Sequence, residues 1–362
     1  MAVGSVRGER RVQSKFCVTP TAHIEDEVSI TEPCFVELKR CLTNAYRESL
    51  VDVGPQAGGS LDMTELIHFS ELERLLADDN TPDEDIAPYL KPAQLRALPL
   101  APIVTVDETR VRLPANRGII GLSVKSLNDR ANRKRVAAYE AKVRDGWKGL
   151  KLLAEGDSWF LYPILLKDIV DNLSNEYAIY SMAAAGDTLE NMLRGIGQLE
   201  ATTKEHQFNG VLLSAGGNDI AGDLLRSYLT TCPLPPKPAL NYLNDWFDAF
   251  IAGTREKLDG LFGGLTTRFP DLRIFCHGYD WPFPRKDGLW LAPAMLSQKV
   301  PEAVQPAVLK LMIDRYYEML GSLAEKYRDR VFVADCRGSV GAITEWFDEL
   351  HPFNAGYTRA AD

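Results

Sequence analysis

The sequence contains no long apolar stretch, and its charge balance is negative. Proline, glycine or charged residues interrupt the apolar runs, so none approaches the roughly 18 residues that a helix needs to cross a bilayer. The first twenty residues hold no apolar core of a secretory signal. Lys and Arg number 41 against 50 Asp and Glu, a net charge of −9, whereas nucleic-acid binding needs a basic footprint. We therefore expect a soluble, cytoplasmic protein that does not bind nucleic acid, with leaderless export left open.

Cysteines are scarce, and no repeat of fixed period is visible. The chain of 362 residues has six cysteines and no CxxC pair. An even cysteine count indicates a disulfide framework mainly in short secreted proteins. We expect reduced and mostly buried thiols, with Cys276 and Cys336 inside apolar runs typical of strands. At 45% hydrophobic residues, the chain can bury a sizeable core, which excludes global disorder.

The first part of the chain gives mixed signals, and we treat residues 1–149 as a region of unknown function. The spacing of its leucines predicts an amphipathic helix over 61–77. Thr81 and Glu84 have the spacing of a capping box, which predicts the start of a short helix. Two β-type runs within 98–114 predict a hairpin or edge strands. The N-terminal region is therefore expected to mix helices and strands.

A basic segment covers residues 125–148, with eight basic and three acidic residues at helical spacing. One interpretation is a helix that makes peripheral contact with an anionic membrane surface or a phosphorylated partner. The other is a solvated helix that leads into the next domain. We favour the second, because the apolar face is thin and lacks large side chains.

From residue 150 onward, strand and helix signals alternate. Five apolar β-type runs are separated by helical stretches, of which the longest are 240–262 and 302–328. Such alternation predicts an α/β fold in which helices cover both faces of a parallel sheet. We assign residues 150–362 to a single domain of this class. Its ligands should bind at the carboxyl ends of the strands.

Three residues of this second domain have the chemistry of a catalytic triad. Ser158 follows the first strand, and serine needs a base to become a nucleophile. Asp348 and His351 are three residues apart, a spacing that brings both side chains to the same side of a turn. The carboxylate would then fix the tautomer of the ring and stabilise the imidazolium.

Donors for a developing oxyanion stand at the ends of the next strands. The backbone N–H groups of Ser158 and Gly186 and the side-chain amide of Asn218 could supply three. Two glycines precede Asn218 and would permit close approach of a ligand to the backbone.

Together these motifs resemble the sequence blocks of the SGNH hydrolases, also called GDSL esterases or lipases. The blocks are GDS at 156–158, Gly186, GGND at 216–219 and DELHP at 348–352. The resemblance runs from about residue 150 to the C-terminus. It implies a flavodoxin-like three-layer α/β/α fold, no cofactor and no metal.

The same resemblance implies the roles of individual residues. Ser158 would be the nucleophile, His351 the base and Asp348 its partner. Gly186 and Asn218 would complete the oxyanion hole with the N–H of Ser158. The family hydrolyses acyl esters of lipids and sugars and acyl thioesters.

An aromatic and proline-rich segment, residues 279–296, follows the fourth strand and could form an apolar wall. We predict substrate contacts from Trp159, His277, Tyr279 and Trp281. Many relatives carry Leu at the position of Trp159, which should alter the acyl pocket more than the chemistry. The substrate is then a lipid-like or medium-chain acyl ester, with a phospholipid included.

Three alternatives stay open. Within the same chemistry, the protein could remove acetyl groups from carbohydrates. An SGNH-like fold could also serve as a non-catalytic binding module, because a fold does not guarantee an activity. Acidic and amide residues at the strand ends faintly resemble a two-metal phosphoesterase, which would however need more histidine ligands than this sequence offers. The sequence does not define the oligomeric state.

Overall fold

The computed structural model describes residues 66–92, 104–114, 122–231 and 236–362. The first two ranges form a small mixed layer around a cluster of apolar side chains that includes Leu72 and Val104. Its elements are β1 (Ile67–His68), α1 (Phe69–Ala77), α2 (Asp83–Ile86), a 3₁₀ turn (Ala87–Tyr89), β2 (Leu90–Pro92), β3 (Val104–Val106) and β4 (Val111–Arg112).

A five-stranded parallel sheet forms the centre of the chain. Its strands are β5 (Lys151–Gly156), β6 (Ala178–Ser181), β7 (Gly210–Ser214), β8 (Arg273–His277) and β9 (Val331–Ala334). The inner strands are almost continuously buried, as expected for a parallel sheet covered on both faces. The predicted three-layer α/β/α fold is therefore confirmed, and the five apolar runs are its strands.

Helices connect and cover these strands. They are α3 (Val124–Arg144), α4 (Ile169–Leu173), α5 (Leu189–Arg194), α6 (Ile196–His206), α7 (Gly217–Ile220), α8 (Asp223–Ser227), α9 (Asp245–Arg268), α10 (Ala292–Ser297), α11 (Gln305–Lys326) and α12 (Asn354–Ala361). Two further 3₁₀ turns occupy Ala239–Tyr242 and Ile343–Glu345. Within the described residues, no helix is long and apolar enough to span a membrane.

The strand order is β6-β5-β7-β8-β9. In chain order this is 2-1-3-4-5, the flavodoxin-like arrangement whose direction of winding reverses between its first and third strands. The reversal lies between β5 and β7, where Gly156 pairs with Ser214 at the carboxyl ends. A crevice at this switch point is the expected ligand site of such a sheet. It is the point from which the GDS and GGND motifs extend.

The N-terminal elements differ in detail from the sequence prediction. Residues 61–65 of the predicted helix over 61–77 lie outside the described residues, and residues 67–68 pair with β4 as a strand, so helix α1 begins at Phe69. The predicted capping box at Thr81 is wrong: helix α2 starts after Pro82 without a side-chain cap. The carbonyl of Thr81 instead accepts hydrogen bonds from Arg130 and Lys134 of α3.

The two β-type runs of 98–114 do not pair with each other. Strand β3 pairs antiparallel with β2, and β4 pairs parallel with β1. Both are thus edge strands of two separate two-stranded sheets. Each run pairs with a strand that precedes it in the chain, and the local sequence pattern does not show which strand that is.

Five basic side chains of helix α3 bind acceptors elsewhere in the protein, so the helix is packed against its neighbours rather than solvated throughout, as we had favoured. Its pairs are Arg130 with Asp83, Arg133 with Asp79, Lys134 with Asp83, and Arg135 with Asp168 and Asp171. Lys142 donates to the carbonyls of Ser174 and Tyr177. Membrane contact through residues 125–148 stays a prediction.

Two cysteines fall within the described residues, and both carry free, buried thiols. Burial raises the pKa of Cys276 and of Cys336 to about 12, so both are protonated and unreactive at neutral pH. Cys276 lies in β8 as predicted, whereas Cys336 follows the end of β9. The prediction of reduced, buried thiols is confirmed for these two, and the other four lie outside the described residues.

Candidate active site

The turn after β5 places Ser158 at the switch point. The N–H of Asp157 donates to the carbonyl of Ser214 at 3.1 Å, which extends the β5–β7 pairing by one residue. The Asp157 carboxylate then accepts the N–H of Trp159 at 3.0 Å, an Asx turn that holds the chain in a tight bend. Ser158 lies at the centre of this bend and is 3% exposed.

Ser158 meets His351 across 193 residues of chain. The distance from its Oγ to Nε2 of His351 is 2.7 Å. On the other side of the ring, Nδ1 lies 2.8 and 2.9 Å from the two carboxylate oxygens of Asp348. The structure thus brings together the three residues predicted as a triad.

A tight loop holds Asp348 against the histidine. Trp346 and Pro352 form an isolated bridge at its base, and Asp348 accepts the N–H groups of Leu350 and His351 at 2.8 and 2.9 Å. Burial opposes ionisation of Asp348, but the adjacent His351 and these hydrogen bonds outweigh it and hold the carboxyl pKa below its usual range. An ionised Asp348 selects the tautomer that carries hydrogen on Nδ1. Nε2 is then free to accept the serine proton.

The other two predicted oxyanion residues follow β6 and β7, the two strands that neighbour β5. Asn218 lies in α7, whose N-cap Gly216 has a φ of +94°, a left-handed conformation that favours glycine. One amide hydrogen of Asn218 donates to the carbonyl of Asp187 at 2.7 Å, which leaves the second for a ligand. Gly186 lies in the loop after β6, next to β5, where the N–H of Ala184 donates to the carbonyl of Gly156.

An apolar cavity of about 60 Å³ opens beside Ser158, Asn218 and His351. Its apolar walls come from α11, the aromatic segment, the end of α7 and the turns that carry Ser158 and His351. They are Trp159, Ile220, Ala221, Tyr279, Pro282, Leu291, Leu309, Met312, Ile313 and Leu350. The lining contains Trp159 and Tyr279, two of the four residues predicted to contact substrate. It does not contain Gly186.

The other two predicted contact residues are not part of this lining, and their contact with substrate stays a prediction. His277 packs behind the cavity between Trp159 and Phe160, and its Nδ1 accepts the N–H of Tyr279. Trp281 faces away, with its indole N–H on Asp314 and the Lys310 ammonium over its ring. The sequence showed that His277 ends a strand and that Trp281 lies in the aromatic segment, but it did not show in which direction either side chain points.

No family model and no curated protein sequence matches the chain, but several solved structures do. A phospholipase A1 from Streptomyces albidoflavus is 17% identical, covers 58% of this chain and 95% of its own, and has a TM-score of 0.40. An extracellular lipase from Streptomyces rimosus is 16% identical, covers 59% of this chain and 98% of its own, and has a TM-score of 0.39. A family 3 carbohydrate esterase from Clostridium thermocellum is 15% identical, covers 59% of this chain and 91% of its own, and has a TM-score of 0.36.

The chain resembles the SGNH hydrolases. Two further matched structures are described as a putative GDSL-like lipase from Parabacteroides merdae and a putative SGNH hydrolase from Slackia heliotrinireducens, 16% and 14% identical with TM-scores of 0.36 and 0.39. Each of the three reported structures covers somewhat under two thirds of this chain.

A hydrogen-bond network behind the SGNH-like triad was not foreseen from the sequence. The hydroxyl of Tyr279 donates to Asp157 at 2.6 Å and accepts the N–H of Gly217 at 2.8 Å. Ser214 also donates to Asp157, at 2.7 Å. Burial raises the pKa of Asp157 to about 6, although these donors favour the ionised form. The network ties together the ends of β5, β7 and β8, on which Ser158 and Asn218 depend.

A second unforeseen group is Glu349, which lies between the two triad residues of the DELHP motif. Its side chain is buried and accepts backbone N–H groups from the aromatic segment. The donors are Arg285, Trp290, Leu291 and Ala292. The only signal in the sequence was an acidic residue next to apolar ones, which does not identify partners about 60 residues away.

The acidic residues of the metal alternative are engaged within the protein. Asp187 accepts the N–H of Thr188, Asp219 accepts that of Leu189, and Asp157 belongs to the network above. Across the described ranges, no three His, Cys, Asp or Glu side chains converge as a metal site would require.

Proposed function

We propose that the protein is a serine ester hydrolase that works through an acyl-enzyme on Ser158. One observation carries this proposal: Ser158 Oγ lies 2.7 Å from Nε2 of His351, whose Nδ1 faces Asp348. A nucleophile, a base and an orienting carboxylate in this geometry form the arrangement that activates a hydroxyl for acyl transfer.

The reaction would proceed in two halves. Ser158 Oγ forms a bond to the ester carbonyl carbon while its proton passes to His351 Nε2. The N–H groups of Ser158 and Gly186 and the free amide hydrogen of Asn218 stabilise the oxyanion. The bond to the alcohol breaks, and His351 protonates the leaving oxygen. A water molecule then gives a proton to His351 while its oxygen bonds to the acyl carbon, the bond from that carbon to Ser158 Oγ breaks to release the acid, and His351 returns the proton to Oγ.

The cavity favours a short apolar acyl group. Its walls are apolar, and a volume of about 60 Å³ offers about four to six water-sized positions. This is smaller than a long lipid chain would fill. We therefore infer a preference for acyl groups of about four to six carbons. The same small volume keeps the removal of acetyl groups from carbohydrates as the second candidate.

The test is covalent labelling by a fluorophosphonate, followed by intact mass. We expect one adduct on the wild type and none on Ser158→Ala. Ser227→Ala serves as the matched control, since this exposed serine donates only to Leu224 within its own helix. Absence of an adduct on folded wild type would reject the hydrolase proposal in favour of a binding module.

Chain-length profiling separates the two hydrolase candidates. Hydrolysis of p-nitrophenyl esters from acetyl to dodecanoyl should reach its highest kcat/KM at butanoyl to hexanoyl. A maximum at acetyl, together with release of acetate from an acetylated sugar, would instead support the carbohydrate esterase.

A further inference from the structure

The carboxylate of Glu349 is an anchor for the aromatic segment. It is 1% exposed, and each of its oxygens accepts two backbone N–H groups. Oε1 takes those of Arg285 and Ala292, both at 2.9 Å. Oε2 takes those of Trp290 and Leu291, at 2.6 and 2.9 Å.

Only an ionised carboxylate suits this set of partners. Four donors require four acceptor lone pairs, which a carboxylate has and an amide has not. In a glutamine, one oxygen becomes an NH₂ group that would face two backbone N–H groups. Donors left without acceptors in a buried place lose their hydrogen bonds and their hydration together.

The segment is shaped around this carboxylate. A Cβ atom at Gly288 would lie 2.0 Å from the Glu349 carboxyl carbon, so only glycine fits there. The Arg285 guanidinium also donates to the carbonyl of Phe347, which precedes the triad aspartate in the chain. Loop and segment are therefore held together at two points.

What Glu349 holds is one wall of the cavity. Leu291, whose N–H it accepts, lines the cavity beside Ser158. The next residue along the motif, Leu350, lines the same cavity, and its carbonyl accepts the indole N–H of Trp159. One side chain thus fixes the wall of the acyl pocket relative to the loop that carries His351.

We propose that Glu349 is a positioning residue that sets the acyl-chain preference of the enzyme. The inference rests on the proposed ester hydrolysis. Loss of its charge would release Leu291 from the pocket wall, so that an acyl chain which fills the cavity loses its contacts. A small acyl group, which needs little of that wall, would be affected less.

The test compares acetyl and hexanoyl p-nitrophenyl esters on the wild type, Glu349→Gln and Gly288→Ala. We expect kcat/KM for the acetyl ester to fall about 3-fold and that for the hexanoyl ester about 30-fold, mostly through KM, since methylene contacts are worth about 10-fold or more. Hydrogen exchange at residues 285–292 should accelerate in both variants. Glu345→Gln is the control: its exposed carboxylate pairs with Arg359 of α12 and does not contact the aromatic segment.

The outcomes separate this inference from the proposed function. Equal losses for both esters, or an unchanged ratio, overturn the inference while the enzyme remains a hydrolase. If Glu349→Gln does not fold, the ratio measured on Gly288→Ala decides. A wild type that neither labels at Ser158 nor hydrolyses any ester rejects the proposed function, and the role of Glu349 in specificity with it.

Discussion

Asn128 and Ala185 exchange two hydrogen bonds. The side-chain amide of Asn128 donates to the carbonyl of Ala185 at 3.2 Å, and its oxygen accepts the N–H of the same residue at 3.3 Å. Asn132, one turn later on α3, donates to the carbonyl of Ala183 and accepts the hydroxyl of Ser181. A helix outside the SGNH-like part of the sequence therefore holds the loop that carries Gly186.

Removal of the hydrogen bonds between Asn128 and Ala185 should weaken catalysis more than substrate binding. Asn128→Ala leaves both backbone groups of Ala185 without their partner, and the loop that presents the Gly186 N–H loses its fixed position. Since Gly186 is a proposed oxyanion donor, its displacement should lower kcat by about 10-fold with little change in KM. Steady-state kinetics on a short ester check this. Asp129→Asn is the matched control, because its exposed carboxylate pairs only with Lys125 on the helix surface; an unchanged kcat in Asn128→Ala would contradict the expectation.

Asp348→Asn should leave the fold intact and nearly abolish turnover. An amide in place of the carboxylate no longer selects the tautomer of His351 with hydrogen on Nδ1, nor does it stabilise the imidazolium. In a triad this costs about 10⁴-fold in kcat. Labelling rate by the fluorophosphonate and ester turnover measure the loss. Asp335→Asn, at an exposed carboxylate that pairs with Arg337, should keep both rates; equal losses in the two variants would argue against a special role for Asp348.

Enlarging the cavity should shift the chain-length preference. Leu309 is buried on α11 and lines the cavity, so Leu309→Ala makes room for one or two more carbons. Leu323 is buried on the same helix but lies outside the lining. Both substitutions should cost about 2–5 kcal/mol of stability, and only the first should move the optimum to longer esters. A shift in both variants would mean that the cavity is not the acyl site.

Whether a feature could be predicted from the sequence depends on how far apart in the chain its interacting residues lie. The strands β5 and β7 were predictable because a strand that is buried on both faces consists of an almost continuous run of apolar residues. The approach of Ser158 to His351 and Asp348 was predictable because the three residues lie in short motifs with the residue types that triad chemistry requires; their catalytic roles stay a proposal. The division at residue 150 stays a prediction.

Other features depend on partners that no local pattern reveals. Glu349 meets donors 57 to 64 residues away in the chain, and Asn128 meets Ala185 over 57 residues. Both are ordinary polar residues in the sequence, and only the fold gives them partners. The inward and outward faces of the aromatic segment likewise depend on packing, so the sequence did not show that Trp281 contacts Asp314 and Lys310.

Acid stability offers a test of how deeply His277 is buried. Burial lowers the pKa of His277 from 6.5 to about 3. Between these values the unfolded chain binds a proton at this residue and the folded chain does not, so unfolding takes up a proton and stability falls as pH falls. The contribution is fully present above pH 6.5. Its loss below that pH should approach about 1.4 kcal/mol per pH unit.

His277→Phe isolates this contribution, because phenylalanine does not titrate and suits the aromatic surroundings of Trp159 and Phe160. The Tyr279 N–H loses its acceptor, which lowers stability equally at every pH. Asp157, with its raised pKa, has the opposite slope, but it is present in both proteins and cancels in their difference. Denaturant unfolding at pH 7, 6, 5 and 4 should therefore show the wild type losing stability faster than the variant as pH falls. Parallel curves would mean that His277 becomes protonated in the folded protein.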